Sequence, residues 1–345
     1  MISATDLGLL DGFERALINH RLHMVYQPKV SLADGSLKRV EALVRWRDPI
    51  IGMVPPSRFV PLAERHGLID QLTQWGLRTA LRQWLAWHEQ GIDTCIAFNI
   101  SALSLEQLDF PDLVERMCRA LGVPTEHLVL ELTEGATQPL VKLMDTLTRF
   151  RIKGIGLAID DFGTGYSTLM QLRQLPFTEL KIDRFFIADS TTSDDSALMV
   201  KCMVELAHGL GLTCTAEGVE TAEQMAMLCK LRCDVAQGYL IAQPLEPEAL
   251  GPWLEEWAKR WPTYAAPEPA AACSARVRAR AIAATPASIV SSRLAKHKRT
   301  RWRGGSTSAN ADRGITATPA CSTASRANAS SSIAIPDAAR LTIRK

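Results

Sequence analysis

The chain has 345 residues, 47% of them apolar, enough to bury a substantial core in one large domain or two smaller ones. Its net charge of +2 conceals two unlike segments: residues 264–345 hold 14 basic against 3 acidic residues, and residues 1–263 hold 25 against 34, a body of −9 and a tail of +11. No apolar run reaches the roughly 18 residues of a membrane span. The eight cysteines are scattered through apolar runs without disulfide or zinc spacing, as expected of reduced thiols in a cytoplasmic protein.

At the N-terminus, Asp6, Asp11 and Glu14 stand where a secretory leader needs basic residues, so none is expected. "HMVYQPKVSL" (His23–Leu32) alternates, meets Asp34-Gly35 and is followed by "LKRVEALVRW" (Leu37–Trp46), which predicts a two-stranded hairpin. Pro55 to Glu89 has helical spacing throughout, with Trp75, Leu81, Trp84 and Leu85 as core residues. Short apolar runs then alternate with amphipathic helices. "TCIAFNIS" ends at Asn99 and Ser101 before a helix over Asp112–Leu121, and "HLVLELTE" carries Glu131 and Glu134 before one over Val141–Gly154. "IGLAIDDFG" ends on Asp160 and Asp161, ahead of a helix over Ser167–Leu175. "TELKIDRFFI" carries Lys181 and Asp183 and leads to a helix over Leu198–Gly211. "LTCTAEGVE" carries Glu217 and Glu220, and after a helix over Thr221–Arg232, "CDVAQGYLIAQPL" carries Gln237. The tail, rich in Ala, Ser, Thr and Arg, is predicted to be disordered. Its "RLAKHKRTRWRGG" reads as a solvated charge run, and no double-stranded nucleic acid is expected as a partner.

Apolar strands alternating with amphipathic helices imply parallel βαβ units, and about eight strands in roughly 250 residues predict a (β/α)8 barrel of the TIM type. The opening hairpin makes one strand run against the others. A barrel places its site at the C-terminal strand ends, where Glu41, Asn99, Glu131, Asp160, Asp161, Lys181, Glu217 and Gln237 recur. A doubly wound open sheet needs no acid at nearly every strand end. Asp160 and Asp161 pose a local problem, because adjacent strand residues point to opposite faces. A strand that stops at Asp160 and turns through Gly163 and Gly165 lets both carboxylates reach one place. So many converging acids repel without a cation, and an all-oxygen donor set suits Mg²⁺ or Mn²⁺ better than zinc. Two such ions about 3.5–4 Å apart are a device for phosphate-ester hydrolysis. Ca²⁺, with longer bonds, is expected to inhibit.

These residues carry a resemblance. "YQP" (Tyr26–Pro28), "EALVRW" (Glu41–Trp46), "FNIS" (Phe98–Ser101), "ELTE" (Glu131–Glu134), "DDFGTGYS" (Asp160–Ser167), "LKID" (Leu180–Asp183), "AEGVE" (Ala216–Glu220) and "QGY" (Gln237–Tyr239) occur in unbroken order over about residues 10–260. Together they resemble the EAL-domain phosphodiesterases of cyclic di-GMP. The resemblance implies that Glu41, Asn99, Glu131 and Asp160 hold one metal ion, and that Asp160 and Asp161 hold a second, with Glu217 nearby through water. Lys181 would contact the nucleophilic water and Gln237 would order the site. Gln27, Leu43 and Arg45 would meet the dinucleotide, and Glu220 would anchor the glycine-containing loop near a dimer interface. The implied reaction opens cyclic di-GMP to linear pGpG, by a homodimer. Asp48 stands where the family commonly has His, and Gly135 where it commonly has Ser. No cyclase signature is present, and too few residues precede the first strand for a sensory domain, so regulatory input is expected from outside this chain. The competing expectations are a degenerate barrel that only binds cyclic di-GMP or a protein partner, and a barrel enzyme acting on another phosphate ester. The expected division is a barrel over residues 1–263 and a tail over residues 264–345.

Overall fold

The computed structural model describes residues 4–19, 21–133, 140–163 and 169–264. The predicted tail beyond Tyr264, and the motif residues Glu134, Gly135 and Gly165, lie outside them. Helix α1 (Ala4–Ile18), which the sequence reading left unassigned, precedes the hairpin of β1 (Leu22–Ser31) and β2 (Leu37–Asp48). A short β3 (Gly52–Val54) folds back on the end of β2. The helical run predicted over Pro55–Glu89 is two helices, α2 (Pro56–Arg65) and α3 (Ile69–Glu89). Gly67, at φ 70°, breaks the run in a conformation side chains resist. Each helix still buries one apolar face, which is why the spacing persists across the break.

The alternation then proceeds as β4 (Cys95–Asn99), α4 (Phe110–Ala120), β5 (Leu128–Thr133), α5 (Leu140–Ile152), β6 (Gly156–Phe162), α6 (Leu169–Gln174) and β7 (Glu179–Ile182). It continues with α7 (Arg184–Ala188), α8 (Asp194–Leu210), β8 (Thr213–Ala216), α9 (Ala222–Lys230), β9 (Val235–Ala236) and α10 (Leu250–Arg260). Strand β7 is shorter than its apolar run, because the Asp183 side chain accepts the Phe185 N–H and starts α7 there.

The sheet order β1-β9-β8-β7-β6-β5-β4-β2, with β1 also pairing β2, closes a ring of eight strands. Strand β1 is antiparallel to both neighbours, and every other pairing in the ring is parallel. The fold is therefore the (β/α)8 barrel with one reversed strand that the sequence predicts.

The two faces of the ring differ sharply. Outward residues such as Val40, Ile96, Leu130, Leu157, Leu180 and Cys214 are fully buried under the helices and form the main apolar core. The lumen of a typical barrel is filled by branched aliphatic side chains. Here it holds buried Lys29, Glu41, Glu131, Glu179 and Lys181 and half-buried Arg39, with Ala97, Val129 and Ala158 as a small apolar patch. Towards its floor, Arg39 of β2 pairs across the ring with Glu179 of β7, which also accepts the Thr215 hydroxyl. A second core of Phe13, Trp46 and Phe59 fixes α1 and α2 to the outer end of the hairpin.

Candidate active site

Register aligns the polar residues before any of them interacts. Gln27 lies opposite Glu41 in the hairpin, Asn99 lies beside Glu131, and Thr133 beside Asp160. Past the strand ends, the Glu217 N–H donates to the Ile182 carbonyl and the Gln237 N–H to the Ala216 carbonyl, extending the ladder by one residue each. Alternation then turns these side chains into the lumen mouth. Glu41 is not at a strand end, because β2 continues to Asp48 and pairs there with β3; it lies one residue before the pairing of β2 with β4 ends at Ala42.

Lys181 is the centre. Its buried ammonium lies 2.7 Å from Glu131 Oε2, 2.8 Å from Asp160 Oδ1, 2.6 Å from Glu217 Oε1 and 4.0 Å from Glu41 Oε2. Burial alone would lower its pKa, but Glu131, Glu217, Glu41 and Asp160 together raise it well above the ordinary lysine value. The sequence reading took Lys181 as the one cation among these acids. The structure adds Lys29 of β1, fully buried, 2.5 Å from Glu131 Oε1 and 3.5 Å from Glu41 Oε2. It was missed because Lys29, between Pro28 and Val30 on an alternating strand, has the pattern of a solvent-facing residue. In a closed ring that face is the lumen.

Glu41 accepts from Asn99 Nδ2 at 2.7 Å on Oε1 and from Gln237 Nε2 at 2.8 Å on Oε2. Gln237 also donates to Gln27 Oε1 at 2.9 Å, and Gln27 donates to the Ala242 carbonyl at 3.0 Å, so both glutamines belong to one network. Burial would raise the Glu41 pKa, but Lys181, Lys29 and the donors Gln237 and Asn99 outweigh it and hold the carboxyl well below its usual range.

The adjacent aspartates meet by a different route from the one expected. Strand β6 does not stop at Asp160; it runs to Phe162 with a register shift between Ile159 and Phe162. Asp161 sits in this irregularity at φ 54°, its N–H donating to Asp160 Oδ1 at 3.0 Å. The bulge cancels the alternation that would send the two side chains apart. Asp160, Asp161 and Glu217 each offer an oxygen within 4.8 Å of the others. Burial, with Asp160 and Asp183 adding, raises Asp161 to about 6. Burial also raises Glu217 to about 8; Lys181 and Lys29 oppose the rise without cancelling it, and Asp160 and Glu41 add to it. Two ammoniums, Lys181 and Lys29, do not neutralise the five acids Glu41, Glu131, Asp160, Asp161 and Glu217.

The remaining predicted residues are more peripheral. Leu43 and Arg45 continue along β2 past Glu41 and are half-buried, with Arg45 Nη1 donating to the Val44 carbonyl at 2.9 Å. Glu220 is exposed and outside the cluster; its backbone N–H donates to Gln224 Oε1. Most of the loop it was expected to anchor lies outside the described residues. A hard divalent cation fits this donor set: carboxylate and amide oxygens only, two acids raised by burial and by neighbouring carboxylates, and a buried Gln237 Oε1 without a hydrogen-bond partner.

Relatives agree with this architecture. The oxygen sensor protein DosP of Escherichia coli is 38% identical over 245 residues, which is 70% of this chain and 31% of DosP. The cyclic di-GMP phosphodiesterase NbdA of Pseudomonas aeruginosa is 39% identical over 270 residues, 77% of this chain and 34% of NbdA. The chain thus spans about a third of the length of these relatives. Among solved structures, the PaMucR phosphodiesterase in complex with c-di-GMP superposes with a TM-score of 0.67 at 40% identity, covering 70% of this chain and 99% of that one. The EAL domain of Mycobacterium smegmatis DcpA superposes with a TM-score of 0.59 at 30% identity, covering 69% and 97%. No helix among the described residues is long and apolar enough to cross a membrane. The EAL domain model matches residues 11–244, more than half of the sequence, and the chain belongs to the EAL domain family.

Proposed function

We propose that the chain is a phosphodiesterase specific for cyclic di-GMP, hydrolysing one 3′–5′ bond to release linear 5′-pGpG in a reaction dependent on Mg²⁺ or Mn²⁺. One observation carries the reading: Glu41, Asn99, Glu131, Asp160, Asp161, Lys181, Glu217 and Gln237 are all present and gather at one lumen mouth. A barrel that only bound the dinucleotide would have no need of the full set.

Glu41, Asn99, Glu131 and Asp160 would hold one ion, and Asp160 with Asp161 a second, with Glu217 nearby through water. When bound, these ions supply Lewis acidity and charge neutralisation for an in-line displacement at phosphorus. The protein's own part is placement and charge. Lys181, kept protonated by its four acids in the metal-free site, would donate from Nζ to orient the attacking water and steady the phosphate. Asn99 and Gln237 fix the Glu41 carboxylate from both oxygens. Gln27 shares that network, and beyond it Arg45 offers a planar fork to a phosphate and Leu43 an apolar face to a base. Glu220 acts from outside the cluster, through the loop that follows β6. Residues 1–263 form the catalytic unit, residues 264–345 are an appendage, and the working form is a cytoplasmic homodimer.

The test is Glu41→Gln, which keeps the side-chain volume. Incubated with cyclic di-GMP and Mg²⁺ and resolved by chromatography, the wild type should yield pGpG and the variant should fall by about 10²-fold or more with its fold intact. Substitution of Ca²⁺ should inhibit, since its oxygen bonds are longer by about 0.3–0.5 Å than those of Mg²⁺. Undiminished turnover in the variant would overturn the site.

A further inference from the structure

Lys29 has no part in the reading above, yet it stands inside the lumen, level with Arg39 of β2 in the hairpin. Its side chain is completely buried, and its ammonium lies 2.5 Å from Glu131 and 3.5 Å from Glu41, two of the acids assigned to the first ion. A cation belonging to the chain itself therefore already stands against the carboxylates that a divalent ion would claim. We propose that Lys29 is a built-in counter-cation that sets the metal affinity of the site: it holds Glu131 and Glu41 together in the metal-free protein and opposes the entry of a divalent ion. This rests on the metal-site reading given above.

Two features separate the charge of Lys29 from its packing. Placement of the acids is redundant, because Glu131 Oε2 is also held by Lys181 at 2.7 Å and Glu41 is fixed by Asn99 and Gln237. Charge is not redundant, because Lys181 is shared among four carboxylates. Removing the Lys29 ammonium leaves the ligands in place. It also deletes a repulsion that acts twice as strongly on a divalent ion as on a monovalent one. The metal-free protein should lose stability in the same step, since breaking a buried pair by removing one partner leaves the other uncompensated.

The experiment titrates Mn²⁺ into metal-free wild type, Lys29→Met and Lys29→Arg by calorimetry at about pH 8.5, where protons compete least. Melting curves in chelator and in saturating Mn²⁺ accompany it. Lys29→Met should bind Mn²⁺ about tenfold or more tightly than wild type, melt lower without metal, and gain more on adding it. Lys29→Arg, which keeps the charge, should stay near wild-type affinity. If Lys29→Met does not fold, Lys29→Gln offers Glu131 an N–H without the charge and should tighten binding likewise. Unchanged or weaker Mn²⁺ binding in the neutral variants, beside normal binding in wild type, would overturn the role of Lys29. Failure of wild type itself to bind Mn²⁺ is a separate result and would overturn the metal-site reading.

Discussion

At Lys181, a single ammonium lies within 2.8 Å of three carboxylates and 4.0 Å from a fourth, so its protonation follows from counting charges. From the sequence alone the sign was open, because neighbouring metal ions push a lysine towards neutrality and acids push it the other way. The metal-free arrangement favours the charged form. Lys181→Met keeps much of the volume and should retain dinucleotide binding while turnover falls by about 10²–10³-fold. It should also lower the melting temperature of the metal-free protein, because four acids lose their shared cation. Near-normal hydrolysis by the purified variant, measured beside its binding constant, would remove Lys181 from the chemistry. The residue scale also shows what a sequence hides. Lys181 was legible because it follows an apolar strand and sits among other strand-end polar residues. Lys29 was not, since a polar alternating face has the same pattern whether it meets water or a closed lumen.

Among the elements, the strands were readable and their irregularities were not. Alternation and apolar runs located the hairpin and the parallel strands, but nothing in "IDDFG" distinguishes a strand that stops from one that bulges. Likewise, helical spacing passed over the break at Gly67, and α1 and α10 were not assigned. The bulge in β6 has a thermodynamic consequence. Asp161 and Glu217 have folded-state values of about 6 and about 8, above the ordinary carboxyl range. Between the ordinary value and the raised one, the unfolded chain has released protons that the folded chain still holds, so stability falls as pH rises. The depressed Glu41 acts only below this window. Metal-free protein should therefore melt at progressively lower temperature from about pH 5 to about pH 8, and Mn²⁺ should restore more at the upper end. A flat or rising melting temperature in chelator contradicts this. The loops after β8 and β9 make a second prediction. A Cβ on Gly238 would stand 2.1 Å from the Val219 carbonyl oxygen, so "QGY" needs glycine for close backbone approach. Gly238→Ala should displace its neighbour Gln237 and reduce turnover more than stability, as activity assays paired with melts would reveal.

For the molecule as a whole, the distribution of charge matters more than its sum. The residues assigned to the barrel carry −9 and those of the tail +11, while the proposed substrate is a dianion whose site lies in the acidic part. If the tail took part in catalysis, its charge would act either by touching the dinucleotide or by raising the local potential. Potential alone is a weak lever at physiological salt, where interactions between exposed charges are screened over about 8 Å. The barrel also closes without the tail: β1 joins β9 and β2, and α10 packs its buried Leu250, Trp253 and Trp257 into the main core. Deleting residues 265–345 should therefore leave kcat unchanged and KM within about twofold at about 0.15 M salt. At low salt, where screening is weaker, KM should rise modestly in the truncated protein through loss of a basic segment that attracts anions. The two effects separate the readings. A KM difference that grows as salt is removed reports long-range attraction alone, whereas a fall in kcat that persists at every salt concentration would mean that the tail contacts the site or its assembly, and that the division near residue 264 is misplaced.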